Sequence, residues 1–361
     1  MHVPLIEYGA TALSDLAHLL VNHAPDLDYQ TIEIVTSKSF DKGLSDREAA
    51  WVKAVGFDGK QGSLCPLPAT DGSVTRILAG VGDKKPTTQN PWWLAAIVSK
   101  LEAGTYKVCG VAEKIIIVGT LGWCLEQHRF DRYCSKKALK DRILVLAEKT
   151  KIEAVMHDVD GLSLTRDLIN TPTEHMGPAD LQDAAEKLAE QYGAQCGTIV
   201  GDDLLDENFP AIHVVGRAAA SGREPRLIDL CWGDVGHPKI TLIGKGVCFD
   251  TGGLDVKPSA GMRFMKKDMG GAAHVLGLAR MIMGHGLKVR LRVLIPAVEN
   301  AIDGNAYRPG DVIATRKGLS VEIGNTDAEG RVVLCDAITL ASEEKPALIL
   351  DFATLTGAAR T

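Results

Sequence analysis

The second half of this 361-residue chain is a succession of short apolar runs: "RLIDLCW" (226–232), "KITLIG" (239–244), "KVRLRVLIPAV" (288–298) and "PALILDFATL" (346–355). Runs that stay apolar at nearly every position, instead of every second one, suit strands buried on both faces. Between them lie stretches with helical spacing, notably 267–284 and 331–343. An earlier helix, "PADLQDAAEKLAEQYG" (178–193), carries Pro178 near its start and is followed by a shorter strand, "GTIV" (197–200). Strands alternating with helices over this length predict an α/β fold with a mostly parallel sheet flanked by helices.

The first half reads as a smaller α/β unit. "IEIVT" (32–36) and "VTRILAGVG" (74–82) read as strands, "KIIIVG" (114–119) as a buried strand, and "WWLAAIVSKLEAG" (92–104) as a helix. "SDREAAWVKAVG" (45–56) opens with a capping box formed by Ser45 and Glu48. The Trp92–Trp93 pair is expected to pack half-buried. A helix over 152–170 leads into "TPTEHMGP", a loop rich in turn formers. The predicted organisation is an N-terminal α/β domain over 1–150, a linking helix and loop over 151–172, and a second domain over 173–361.

Composition narrows the class. Hydrophobic residues make up 45% and charged residues 24%, as in an ordinary globular protein. A net charge of −6 gives no support to nucleic acid as a partner. The eight cysteines form no C-x-x-C pair, so neither a zinc knuckle nor a redox pair is signalled, and several lie in apolar runs as expected buried thiols. That usage fits a reducing cytoplasm. The first residues show no signal peptide, and no window approaches the roughly 20 apolar residues of a membrane span. A cytoplasmic protein is expected, without a membrane partner.

In open α/β sheets, functional groups gather at the carboxyl ends of the strands. There "KITLIGKGVCFDTGGLDVK" delivers Lys245, Asp250, Gly252–Gly253 and Lys257. "MRFMKKDMGGAAHVLGLAR" places Asp268 at a helix start, and "VEIGNTDAEGR" supplies Asp327, Glu329 and Arg331. The two-residue spacing of the last three predicts one face of an extended segment. Four carboxylates in one crevice would repel unless some stayed protonated, and two divalent cations would cancel their charge. Such oxygen-rich sets suit Mn²⁺, Mg²⁺ or Zn²⁺. Asp327 and Glu329 alone would read as a solvated turn, since acids commonly sit at helix starts. The glycine-rich loop matches neither G-x-x-x-x-G-K-[ST] nor G-x-G-x-x-G, so it signals no nucleotide. His274, on the apolar helix after Asp268, reads as a packed core histidine, and Cys248 and Cys335 as small buried hydrophobes.

"GKGVCFDTGGLDVKPSAGMRFMKKDMGGAA" and "NTDAEGR" closely resemble the signature segments of the leucine aminopeptidase family, the dinuclear-metal M17 peptidases. "NAYRPGDV" (305–312) and "DFATLTGAA" (351–359) are two further similar blocks. The resemblance spans roughly 165–361 and is weak over the first 150 residues. It implies a metal-dependent aminopeptidase that removes the N-terminal residue of peptides with a free N-terminus. Two divalent metal ions (Mn²⁺ or Zn²⁺) would be bridged by Asp250 and Glu329. Asp327 would complete the looser site, and Lys245 with Asp268 the tighter one. Lys257 and Arg331 would be the catalytic pair, and Met265, Thr354, Leu355 and Gly357 would line the substrate pocket. A metal-bridging hydroxide would be the nucleophile. Lys257 would stabilise the developing oxyanion, and Arg331 would hold bicarbonate for proton transfer. A ligating Lys245 must be neutral, far below its free pKa of roughly 10.4.

The same resemblance implies a homo-oligomer, a hexamer in that family. It also implies helices beyond "DFATLTGAART" that cover the last strand, so a chain ending there is expected to be C-terminally incomplete. The alternative reading is a non-catalytic or impaired relative acting as a binding or regulatory protein. The intact ligand set weighs against it.

Overall fold

The computed structural model describes residues 16–134 and 141–357. They divide into two compact units, one reaching Val159 and the other beginning at Asp160.

The first unit holds β1 (Leu20–Asn22), β2 (Gln30–Val35), α1 (Asp46–Ala54), β3 (Leu64–Pro68), β4 (Val74–Gly80), α2 (Ala95–Val98), β5 (Gly104–Cys109), α3 (Glu113–Gln127) and β6 (Arg142–Leu146). Its six-stranded sheet has the order β1-β6-β5-β2-β4-β3 and is parallel except for the β3–β4 pair. The expected capping box is present: the Ser45 hydroxyl accepts from the Glu48 amide, and the Glu48 carboxylate accepts from the Ser45 amide.

Residues 114–119, expected as a strand, lie inside α3. An apolar run alone does not separate a buried strand from a buried helix. Packing decides it here. A Cβ on Gly119 would come within 2.4 Å of Trp93 Nε1, and one on Gly122 within 2.8 Å of the Pro91 carbonyl oxygen. Those two glycines, one turn apart, let the helix lie directly against the Trp93 segment. Trp93 is buried and donates to the Ile115 carbonyl, whereas Trp92 is 45% exposed. The helix expected over 92–104 shrinks to the four residues of α2.

The helix α4 (Ile152–Asn170) crosses the division between the units. The second unit continues with α5 (Pro178–Tyr192), β7 (Gln195–Val200), α6 (Asp203–Asp206), α7 (Pro210–Gly216), β8 (Arg226–Trp232), β9 (Lys239–Gly244), β10 (Gly246–Asp250) and α8 (Ser259–Met262). It ends with α9 (Gly270–Gly284), β11 (Arg290–Asn300), a small hairpin of β12 (Val312–Ala314) and β13 (Ser320–Glu322), α10 (Glu329–Glu343) and β14 (Leu348–Phe352). The sheet order is β14-β9-β11-β8-β7, with β10 beside the far half of β11. The β14, β9, β11 and β10 pairings are parallel, and β8 and β7 extend the sheet antiparallel. The mixed α/β architecture with helix-flanked sheet is therefore as expected from the run pattern.

Successive residues of β11 supply opposite cores, as the period of a strand requires. Leu291, Val293, Ile295 and Ala297 meet α5 and α9, while Leu294 meets α10 and Val298 meets both α7 and α10. Each fully buried aliphatic side chain in those layers contributes about 1.5–3 kcal/mol. The parallel strands thus end together, between two helix layers, and that is where the charged residues collect.

Candidate metal centre

Lys245 fills the one-residue gap between β9 and β10. Its amide donates to the Phe352 carbonyl, and its own carbonyl accepts from the Ala272 amide, so β14 and α9 fix it from both sides. Its side chain is buried and runs to Asp268 Oδ2 at 2.8 Å and Glu329 Oε1 at 2.9 Å. That approach needs Gly330: a Cβ there would lie 2.6 Å from Lys245 Cε.

Asp250 ends β10, opposite Asn300 of β11. Its Oδ1 accepts from the Asn300 side-chain amide at 2.8 Å and from the Gly252 amide at 2.9 Å. The chain then reverses through Gly252 (φ 90°), where a Cβ would sit 2.4 Å from the Asp255 carbonyl oxygen. The reversal returns Lys257 to Asp250 Oδ2 at 2.9 Å and into close contact with Asp327. Asp268 lies buried in a 3-10 turn, Met265–Met269, just before α9. Asp327 occupies a second such turn, Thr326–Ala328, and Glu329 is the first residue of α10.

Carboxylate oxygens of Asp250, Asp327 and Glu329 all lie within 4.8 Å of one another. Glu329 also belongs to the Lys245–Asp268 group, so it stands between the two lysines. Burial raises the Glu329 carboxyl to about 8, with the neighbouring acids Asp250 and Asp268 adding to the rise and Lys245 opposing it. Burial also raises Asp327. Burial works against the charge of both lysines, yet Asp268 and Glu329 outweigh it at Lys245, and Asp327 and Asp250 at Lys257, so both stay protonated. The ammonium groups supply positive charge where divalent cations would. Glu329 Oε2 is buried with no hydrogen-bond partner among the described residues. An orphaned buried carboxylate oxygen inside an oxygen-rich cluster is costly on its own and is what a bound dication would satisfy. The donor set fits a divalent cation.

The structure thus brings together Lys245, Asp250, Lys257, Asp268, Asp327 and Glu329. It does not place Asp327, Glu329 and Arg331 on one extended face. The helix begins at Glu329, and at about 100° per residue its next-but-one neighbour faces away. Glu329 is buried, whereas Arg331 is exposed and its side chain makes no hydrogen bond or ion pair among the described residues. Thr354 directs its hydroxyl to Asp268 Oδ1 at 2.8 Å, and its carbonyl lies 3.5 Å from Lys245 Nζ. Met265 is half-buried at the start of the turn that carries Asp268, while Leu355 and Gly357 are exposed. His274, expected in the core, is exposed: its ring stacks on Phe352 and its Nδ1 meets the Gly270 carbonyl. Helix α9 turns that one position outward while its neighbours enter the core.

Sequence reasoning passed over Asn300, Thr326, Asp255 and Tyr307, which tie the acid-bearing loops together. Asn300 left a signal, a polar residue closing the long apolar run of β11.

Fold and site together define a class: an α/β protein whose acids, gathered at the ends of parallel strands, are arranged to hold divalent cations. Its catalytic-domain match is to the cytosol aminopeptidase family over residues 163–361, and its N-terminal match is to the M17 aminopeptidase N-terminal domain over residues 31–146. A probable cytosol aminopeptidase of Aquifex aeolicus is 36% identical over 335 residues, covering 88% of this chain and 68% of the relative. The crystal structure of a cytosol aminopeptidase from Coxiella burnetii matches with a TM-score of 0.85 and 43% identity, over 95% of this chain and 74% of that one. The bottromycin maturation enzyme BotP, solved in complex with Mn, matches with a TM-score of 0.79 and 31% identity, over 91% and 73%.

The chain belongs to the cytosol aminopeptidase family, M17. The likeness reaches into the first unit, where sequence motifs alone had left it weak. No helix among the described residues is long and apolar enough to cross a membrane.

Proposed function

We propose that this chain hydrolyses the N-terminal residue from peptides, using two divalent cations held by Lys245, Asp250, Asp268, Asp327 and Glu329. The observation that carries the reading is the position of Glu329, shared between the Lys245–Asp268 pair and the Asp250–Asp327 pair. When bound, the cations supply Lewis acidity and an acidified water. Lys245 would join the donor set only as the neutral amine, its proton passing to solvent as the cation binds.

In the metal-free chain Lys257 stays protonated, because Asp327 and Asp250 outweigh the cost of its burial. It is the cation placed to stabilise negative charge developing on the scissile carbonyl oxygen, in a site partly shielded from water. Arg331 is exposed in the first turn of α10, free of protein carboxylates, and its fork suits a planar anion such as bicarbonate. Thr354 orients Asp268 through its hydroxyl while its carbonyl approaches Lys245. Met265, Leu355 and Gly357 are assigned to the substrate side.

The test is release of p-nitroaniline from leucine p-nitroanilide, after chelation and again after adding back Mn²⁺ or Zn²⁺. Metal-restored turnover that Glu329→Ala lacks is the expected result. Turnover untouched by chelation, or equal in Glu329→Ala, would sink the two-cation reading. Light scattering on the same sample checks the expected homo-oligomer, whose mass should be a multiple of 38.6 kDa.

A further inference from the structure

The carboxylates of the centre come from segments far apart in the chain, and one buried side chain joins two of them. Asn300 closes β11 and is 1% exposed. Its side-chain amide donates both to Asp250 Oδ1 at 2.8 Å and to the Thr326 carbonyl at 3.0 Å. The first acceptor belongs to a candidate bridging acid. The second belongs to the turn that delivers Asp327 and Glu329. Lys257 also spans the two segments, through Asp250 Oδ2 and Asp327, but Asn300 does so as an uncharged amide that holds the backbone of the turn.

The surrounding bonds make this a clamp with little slack. The Thr326 carbonyl also accepts from the buried Tyr307 hydroxyl at 2.8 Å, so Asn300 and Tyr307 together use both of its lone pairs. The Thr326 hydroxyl donates to the Gly252 carbonyl at 2.7 Å, and Asp255 Oδ2 accepts from the Thr326 amide at 2.7 Å. The Asn300 carbonyl takes the Thr251 hydroxyl at 2.7 Å. Asn300 Oδ1 stays buried and unpartnered, facing Gly253, where an added Cβ would lie 3.0 Å away. A leucine has the same branched skeleton, so shape alone does not call for an amide. The amide's two donors do.

We propose that Asn300 is a positioning residue for the metal centre: it clamps Asp250 to the Thr326–Glu329 turn, so that Asp250, Asp327 and Glu329 stay within reach of one cation. This rests on the two-cation reading above. A group that hydrogen-bonds a ligating carboxylate typically changes metal affinity about 10–100-fold when removed.

The experiment measures Mn²⁺ binding by calorimetry and by electron paramagnetic resonance, where a spin-coupled pair has its own spectrum. The variants are Asn300→Leu, which keeps the branched shape but not the donors, and Asn300→Ser, which leaves room for a water to bridge. The expected order of affinity is parent, then Asn300→Ser, then Asn300→Leu, the last weaker by about ten-fold or more and with the coupled spectrum lost. That order should not follow the order of metal-free melting temperatures. A folded variant of either kind with the parent's affinity and spectrum would overturn the assignment. Two unfolded variants would mark Asn300 as a folding residue and overturn it equally. A parent chain that binds no Mn²⁺ would remove the two-cation reading itself, and the inference with it, before any variant is made.

Discussion

Glu329 is a carboxylic acid placed where its ionised form is disfavoured, at the start of a helix but inside the fold. Burial raises its pKa from 4.5 to about 8 in the metal-free chain. The folded state therefore binds a proton that the unfolded chain releases between those values. Its contribution to stability is fully present below about 4.5 and is lost as pH rises through about 8. Glu329→Gln fills the same space without titrating. In chelator, the variant should gain stability relative to the parent as pH rises across that window, and added Mn²⁺ should reverse the order. Urea midpoints at several pH values would show this. A constant difference between the two proteins would mean that Glu329 is ionised in the fold even without metal. The acid itself was legible in "NTDAEGR", whereas its separation from Arg331 was not. The two-residue spacing suggests one extended face, but the helix starts early enough to bury one residue and expose the other.

At the scale of elements, the site depends on how α10 is held, since its first residue is Glu329. Asp336, on the same helix, is fully buried and accepts from the Ala211 and Ile212 amides at the start of α7 and from the Arg316 amide. It caps α7 from the side and ties two segments to α10. Removing it strands buried N–H groups that cost about 1–3 kcal/mol each. Asp336→Ala should lower unfolding free energy by about 3 kcal/mol or more in a urea titration. A loss below about 1 kcal/mol would show that water reaches those amides. The helix was legible from its apolar spacing. The partners of Asp336 lie more than a hundred residues away for α7, so no local pattern could point to them. The misread strand at 114–119 has the same origin: Gly119 and Gly122 have meaning only beside Trp93 and Pro91.

Across the whole molecule, the two units have hydrophobic cores of their own. Val35, Val52, Phe57, Cys65, Leu67 and Leu78 cluster in the first, and the layers on either side of the large sheet lie in the second. The candidate metal residues all belong to the second unit. Calorimetry should resolve two transitions in chelator. Mn²⁺ at about a hundred times its Kd should raise only one, by about 5–10 °C, because a ligand stabilises the unit that binds it. A single transition, shifted as a whole by Mn²⁺, would mean that the units unfold as one.

What the sequence determined by itself was the chemistry and the class of fold. Apolar runs of strand length and acids at their ends are local properties, and so are the lysine, aspartate and glutamate side chains of the candidate cation site. Tertiary structure alone decided which acids meet. Lys245, Asp268 and Glu329 lie within hydrogen-bonding distance because β9, α9 and α10 pack around one strand end. Asn300 touches both Asp250 and the Thr326 turn because β10 pairs with β11. Contacts of that kind arise from the packing of distant segments, and a periodicity carries no record of its partner.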